Sequence, residues 1–351
     1  MVEGEHDIHK TGKKRTHRDA LPLLLALPLA VAGLVRALDR RRCDASALLS
    51  TDLPAEEFEA VSSDGTVLRV RSYGQGDRTI FFVHGWTCNE SIFRFQQEHF
   101  GDRYRVVTFD QRGHGRSEIP ASLDYHPERQ AEDLRAVVDV INPGSFVVAG
   151  HSMGGFASFK FYERFGAEYS GRLKGMAIID STGTDLVEGI VFGKLIRRIP
   201  PVILDRSLVA LGRRNRLAQA ALRLLRDTSA AYMIVRWAAF GSRPVGAQVE
   251  HLREMVTDTP VTSVALAAKA CLDFHCDYYL PDIRVPVLLL VGDRDKLTDL
   301  KSNEKTARLI PDARLKVFPG AGHCTLLERR EEFNRELDGF MSEVLATPMA
   351  P

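Results

Sequence analysis

Three things this chain does without narrow its class. Its 47 Lys and Arg stand against 46 Asp and Glu, a net charge of +1, so no global field favours nucleic acid or acidic substrates. It has five cysteines (Cys43, Cys88, Cys271, Cys276 and Cys324), too few and too scattered for a disulfide framework, with no C-x-x-C pair. They read as packed thiols; a Cys271–Cys276 bridge is the alternative in an exported protein. Neither H-E-x-x-H nor a phosphate loop nor a dinucleotide fingerprint occurs, so no metal and no cofactor is expected. What remains is a globular composition, 44% hydrophobic and 26% charged, without repeats or low-complexity tracts. At 351 residues the chain holds one large α/β domain with an insertion, or two ordinary domains.

Long hydrophobic runs are also scarce, with one exception. A basic tail over residues 1–19 leads into an uncharged apolar run from Ala20 to Val35, followed by Arg36, Arg40, Arg41 and Arg42. Extended to Leu38 with Arg36 snorkelling outward, a helix there would reach roughly 28 Å, about a hydrocarbon core. Residues 20–38 are therefore read as a membrane anchor, and the protein as membrane-associated. A cleaved signal peptide and a helix packed on the remaining chain are the alternatives, with export or the cytoplasm as the matching locations. Basic residues on both flanks leave the orientation open.

After Asp52, short apolar strands alternate with longer amphipathic segments, the pattern of a mostly parallel sheet covered by helices. Strands are expected over Glu57–Val61, Val67–Tyr73, Thr79–His84, Tyr104–Phe109, Ser145–Gly150, Leu173–Ile179, Val285–Val291 and Ala313–Phe318. Asp64-Gly65 marks a hairpin between the first two. Pro127 opens a helix to Ile141, with Leu134, Val137, Val138 and Ile141 at helical spacing. Thr325–Val344 reads as one closing helix. Between Gly183 and Leu280 only helical patterns occur, so residues 183–280 are read as a helical cap and residues 52–182 with 281–347 as the α/β core. In Leu211–Arg226, Leu217, Ala221, Leu224 and Leu225 share one side and Arg216, Arg223 and Arg226 the other. Such a helix either packs its apolar stripe inward beneath a solvated basic face or meets anionic lipid.

Chemistry concentrates at Gly150-His151-Ser152-Met153-Gly154, which follows an apolar strand and opens a helix. A sharp strand-to-helix turn holds the serine strained and exposed, with glycines two before and two after where side chains would collide. A serine hydroxyl needs a base, itself oriented by an acid. In chain order these are Asp295, in Gly292-Asp293-Arg294-Asp295 after a strand, and His323, in Gly320-Ala321-Gly322-His323 after the last strand. Asp293 competes with Asp295 but suits capping the turn. Two amides must receive the developing oxyanion: that of Met153, at the helix N-terminus, and that of Trp86, in the loop opened by His84-Gly85. The Trp86 indole and Met153 are also expected in the substrate pocket.

These landmarks, with Asp110-Gln111-Arg112-Gly113-His114-Gly115-Arg116-Ser117, closely resemble the α/β-hydrolase superfamily from about Glu57 onward. Within it the chain looks like the esterase, monoacylglycerol-lipase and haloperoxidase-like branch with a helical cap. The resemblance implies a triad of Ser152, Asp295 and His323, an oxyanion hole at the Trp86 and Met153 amides, and a structural turn for Asp110 to Ser117. The first fifty residues and the cap sequence match nothing in it. The expected activity is hydrolysis of a carboxylic ester, lipid-like or moderately apolar, through an acyl-enzyme. Perhydrolysis, C–C cleavage or thioester hydrolysis by the same residues, or a non-catalytic binding protein on the same fold, are the alternatives.

Overall fold

The computed structural model describes residues 31–39, 53–190, 193–213 and 215–346. Eight strands form one sheet: β1 (Glu56–Val61), β2 (Val67–Tyr73), β3 (Arg78–Val83), β4 (Arg105–Phe109), β5 (Ser145–His151), β6 (Leu173–Ile179), β7 (Val287–Gly292) and β8 (Ala313–Phe318). Their spatial order is β1-β2-β4-β3-β5-β6-β7-β8, antiparallel across the first three and parallel from β4 onward. This is the α/β architecture expected. The parallel strands are near-continuous apolar runs because helices cover both faces. In β3, Phe81 and Val83 enter one core cluster while Ile80 and Phe82 enter the other, as the two-residue side-chain period requires.

Helices are numbered here with α1 as residues 31–39. Helix α2 (Arg94–Phe100) lies on one face with the closing helix, and α3 (Pro127–Ile141) and α4 (Met153–Phe165) pack together on the other. In α3, Pro127 sits in the first turn, and Asn142 ends the helix in the left-handed region (φ 46°). Leu134, Val137, Val138 and Ile141 are buried as their spacing predicts, each stabilising by about 1.5–3 kcal/mol.

Between β6 and β7 the chain is helical: α5 (Leu186–Gly189), α6 (Gly193–Ile196), α7 (Pro201–Arg213), α8 (Asn215–Leu225), α9 (Ser229–Ala239), α10 (Gly246–Asp258) and α11 (Val261–Leu272). Within Leu211–Arg226 the described helices end at Arg213 and begin again at Asn215; Arg214 lies outside the described residues. The apolar side of α8 is not packed inward: Leu217 and Leu224 are 86% and 82% exposed. After β7 come α12 (Leu300–Leu309), α13 (Thr325–Glu328) and α14 (Arg330–Ala346). The single closing helix expected from Thr325 is thus broken at Arg329, whose backbone (φ −124°, ψ 32°) leaves helical geometry.

The membrane-anchor reading, and the location inferred from it, is corrected. Among the described residues no helix is long and apolar enough to cross a membrane; residues 20–30 of the apolar run lie outside them. The described end, α1, docks on the helical insertion through its charges. Arg36 pairs with Glu250 at 2.7 Å and donates to the Asp227 carbonyl, and it lies over the Tyr232 ring. Asp39 accepts from Tyr232 Oη at 2.9 Å and Arg236 Nε at 2.7 Å. Arg36 is held by protein carboxylate rather than reaching for headgroups. With the anchor goes one ground for expecting a membrane surface as partner. Cys88, Cys271, Cys276 and Cys324 are buried free thiols, so no Cys271–Cys276 bridge forms; Cys43 lies outside the described residues.

Candidate active site

Ser152 stands between β5 and α4 with φ 52° and ψ −118°, a left-handed conformation costly for any residue with a Cβ. The turn is tight enough that a methyl at Gly154 would strike the Val83 carbonyl, and one at Gly150 the Gly154 carbonyl. Ser152 N donates to the Ile179 carbonyl at 2.9 Å and Ser181 Oγ donates to the Ser152 carbonyl at 2.7 Å, so the next strand end pins the elbow.

His323, after β8, brings Nε2 to 2.8 Å from Ser152 Oγ, and its Nδ1 lies 2.8 Å from Asp295 Oδ2. Asp295, after β7, is itself fixed. Its Oδ1 accepts the amides of Leu297 and Thr298, and Oδ2 accepts the Thr298 hydroxyl at 2.8 Å. Asp293 instead accepts the Gly320 amide at 2.6 Å, a bond to the loop after β8 rather than a cap on its own turn. Burial presses the His323 imidazole down, but the charge and hydrogen bond of Asp295, with the charge of Asp180, outweigh it and hold the ring above its ordinary value. Among the described residues, neither the Trp86 nor the Met153 amide donates to a protein acceptor. Both flank the elbow: Met153 follows the serine, and Trp86 follows Gly85, against which Ser152 Cβ packs. The Trp86 indole, 37% exposed, donates to the Val264 carbonyl at 2.9 Å and so ties the loop after β3 to α11.

Around these side chains lie supports that the sequence reading passed over. Asp180, directly after β6, is fully buried and accepts three hydrogen bonds: Gly292 N at 3.2 Å, Thr325 N at 2.9 Å and Thr325 Oγ1 at 2.7 Å. It thereby bridges the loops carrying Asp295 and His323, and burial together with the Asp295 charge raises its pKa. The signal available was an acid placed immediately after an apolar strand. His151 donates Nε2–H to the His323 carbonyl at 2.9 Å, and burial with the neighbouring His323 charge lowers it to about 3, keeping it neutral. Glu328 accepts Gly322 N at 2.7 Å and Gly241 N at 2.9 Å; burial, against those two donors, raises it to about 7.

The remaining candidates stand in buried hydrogen-bond networks. His84 is buried, donating from Nδ1 to the Gly85 carbonyl and accepting the Gln111 amide on Nε2 at 2.9 Å. Burial and the neighbouring His114 keep it neutral. Arg112 is 0% exposed and grips Asp133 with both Nε (2.7 Å) and Nη2 (2.6 Å), with Asp64 at 2.9 Å from Nη1. His114 bonds the Arg112 carbonyl at 2.9 Å. Among the described residues no cluster of ligating side chains could hold a metal.

A profile of the alpha/beta hydrolase family matches residues 80–336. The chain belongs to that family. It is 27% identical to a 2-(acetamidomethylene)succinate hydrolase of Mesorhizobium japonicum, covering 78% of this chain and 92% of the relative. It is 28% identical to a non-heme haloperoxidase of Rhodococcus erythropolis, covering 80% and 97%. A thermophilic esterase from Thermogutta terrifontis has the same fold, with a TM-score of 0.66 at 24% identity over 83% of this chain and 99% of that one. As an α/β hydrolase the chain is an enzyme.

Proposed function

We propose that this α/β hydrolase cleaves carboxylic esters through an acyl-enzyme on Ser152. The observation that carries the reading is the hydrogen-bonded line from Ser152 Oγ through His323 to Asp295, 2.8 Å at each step. As Oγ attacks the ester carbonyl carbon, His323 Nε2 takes the hydroxyl proton, and the Trp86 and Met153 amides receive the oxyanion. Collapse expels the alcohol, which leaves with that proton. Water, deprotonated by His323, then attacks the acyl-enzyme, and His323 returns that proton to Ser152 Oγ as the acid leaves. Asp295 keeps the proton of neutral His323 on Nδ1 and offsets the charge of the imidazolium. A ring held above its ordinary pKa is the stronger base for both transfers.

In this reading, residues 183–280 form the cap and the two parts of the chain around them the core. Two contacts support a cap seated on the site: the Trp86 indole on α11, and the His323 amide donating to the Ala239 carbonyl at 2.8 Å. Such a lid walls off water and, with Trp86 and Met153, favours a small, moderately apolar ester. Replacing Ser152 by alanine should bring turnover of a short p-nitrophenyl ester to the background rate while leaving the melting temperature within about a degree. Unchanged turnover would refute the assignment. The named haloperoxidase relative favours one second reading, in which hydrogen peroxide replaces water in deacylation and a peracid leaves. Peracid formation from acetate and peroxide, lost with Ser152, separates the two.

A further inference from the structure

Behind the loops that carry Asp295 and His323 lies a cavity of about 520 Å³ lined by Ser242, Arg243, Arg294, Gly320, Glu328 and Arg329. None of Ser152, Asp295 or His323 lines it. Three arginines from three separate parts of the chain line it: Arg243 follows α9, Arg294 directly precedes Asp295, and Arg329 follows α13. Most arginines of the described chain are matched to carboxylates, as Arg36, Arg112 and Arg253 are. These three are not. Arg329 donates to the Pro319 carbonyl, and among the described residues Arg243 and Arg294 have no ion pair. The carboxylate that shares the cavity, Glu328, already spends one oxygen on the Gly322 amide and the other on the Gly241 amide. Glu328 sets one negative charge against three arginines, and a bound anion would offset the excess positive charge.

We infer that this cavity is a binding site for a small phosphorylated molecule, distinct from the hydrolytic site. Guanidinium forks match the tetrahedral oxyanion geometry of a phosphate and can hold it from several sides. The Ser242 hydroxyl, which donates to the Gly320 carbonyl at 3.3 Å, adds a polar group at the same wall. A bare ion would leave most of the volume empty, while pockets for whole small molecules run from about 300 Å³ upward. The phosphate would join the helical insertion to the two loops that carry Asp295 and His323, and so stiffen the junction on which the reacting side chains rest.

The test is calorimetric titration of the full chain with inorganic phosphate against sodium chloride of equal ionic strength, after Ser152 has been blocked with a fluorophosphonate or replaced by alanine. The Ser152→Ala chain is used if labelling fails, so failure of the hydrolase reading leaves this measurement intact. Saturable binding beyond the chloride control is expected, weakened at least about tenfold in both Arg243→Ala and Arg294→Ala. Arg243 lies in an exposed bend, so its variant keeps the fold, which the melting temperature in chloride checks. Heats equal to the chloride control, or undiminished affinity in Arg243→Ala, would overturn the inference.

Discussion

A methyl group at Gly85 has nowhere to go. An alanine Cβ there would lie 2.9 Å from His151 Nδ1 and 3.0 Å from Ser152 Cβ. Neither neighbour yields readily: His151 is buried and tied to the His323 carbonyl, and Ser152 is fixed in its strained turn. The backbone of residue 85 must therefore move, and Trp86 moves with it. Accommodating one extra methyl in a packed site costs about 1–3 kcal/mol of stability, a drop of several degrees in melting temperature. Displacing one of two oxyanion donors costs on the order of 10²–10³ in kcat. Because the amide acts on charge present only in the transition state, KM should change by no more than a few-fold. Steady-state kinetics on p-nitrophenyl butyrate, with thermal unfolding alongside, measures all three quantities for Gly85→Ala. A folded variant with unaltered kcat would refute the role of the Trp86 amide, because the carbonyl oxygen would then be received elsewhere.

Two further outcomes follow from the same geometry. The general base must be neutral, and His323 is held above the ordinary histidine value, so kcat/KM should fall as pH drops through a midpoint above about 6.5. In Asp295→Asn that midpoint should move down and kcat fall by about 10⁴; a native midpoint below 6.5 would contradict the coupling. Arg112→Met should leave Asp133 buried and unpaired and cost about 3–5 kcal/mol in urea unfolding, with kcat per folded molecule unchanged. A loss under 1 kcal/mol would remove the scaffold role.

Where local chemistry decided the outcome, the sequence was legible. Val67–Tyr73, Leu173–Ile179 and Ala313–Phe318 form the strands expected, and α3 runs between Pro127 and Ile141 as its cap residues imply. Asp295 lies 2.8 Å from His323 Nδ1, while Asp293 accepts the Gly320 amide from the loop after β8. Partners distant in the chain that no motif marks were not legible. The exposed leucines of α8 look like core residues to any periodicity argument, since the helix wheel says which residues share a side but not what that side meets. Arg36 and Asp39 are likewise decided by Glu250, Tyr232 and Arg236, about two hundred positions away in the chain.

The glycines beside His323 answer to the path of the backbone rather than to the freedom of the ring. They suggest a ring left free of neighbours, yet His323 is buried and pressed from several sides. The sheet order supplies the actual requirement. Ser152 follows β5 and His323 follows β8, three strand positions apart, with β6 and β7 between. At about 4.8 Å per strand the gap is roughly 14 Å, beyond the reach of an imidazole. The loop after β8 must therefore fold back across the end of β7. It does so over Gly292, where any Cβ would strike the Ala321 and Gly322 carbonyls. At Gly322 the same loop presses on the insertion, with a Cβ there 2.6 Å from Gly241 N and 2.9 Å from the Ala239 carbonyl. Asp180, from β6, then fastens the two crossing loops from beneath through Gly292 and Thr325. The approach of His323 to Ser152 is thus a property of backbone passing over backbone, which is why the glycines sit at 292 and 322 and a buried acid sits at the end of β6, next to the strand that Gly292 closes.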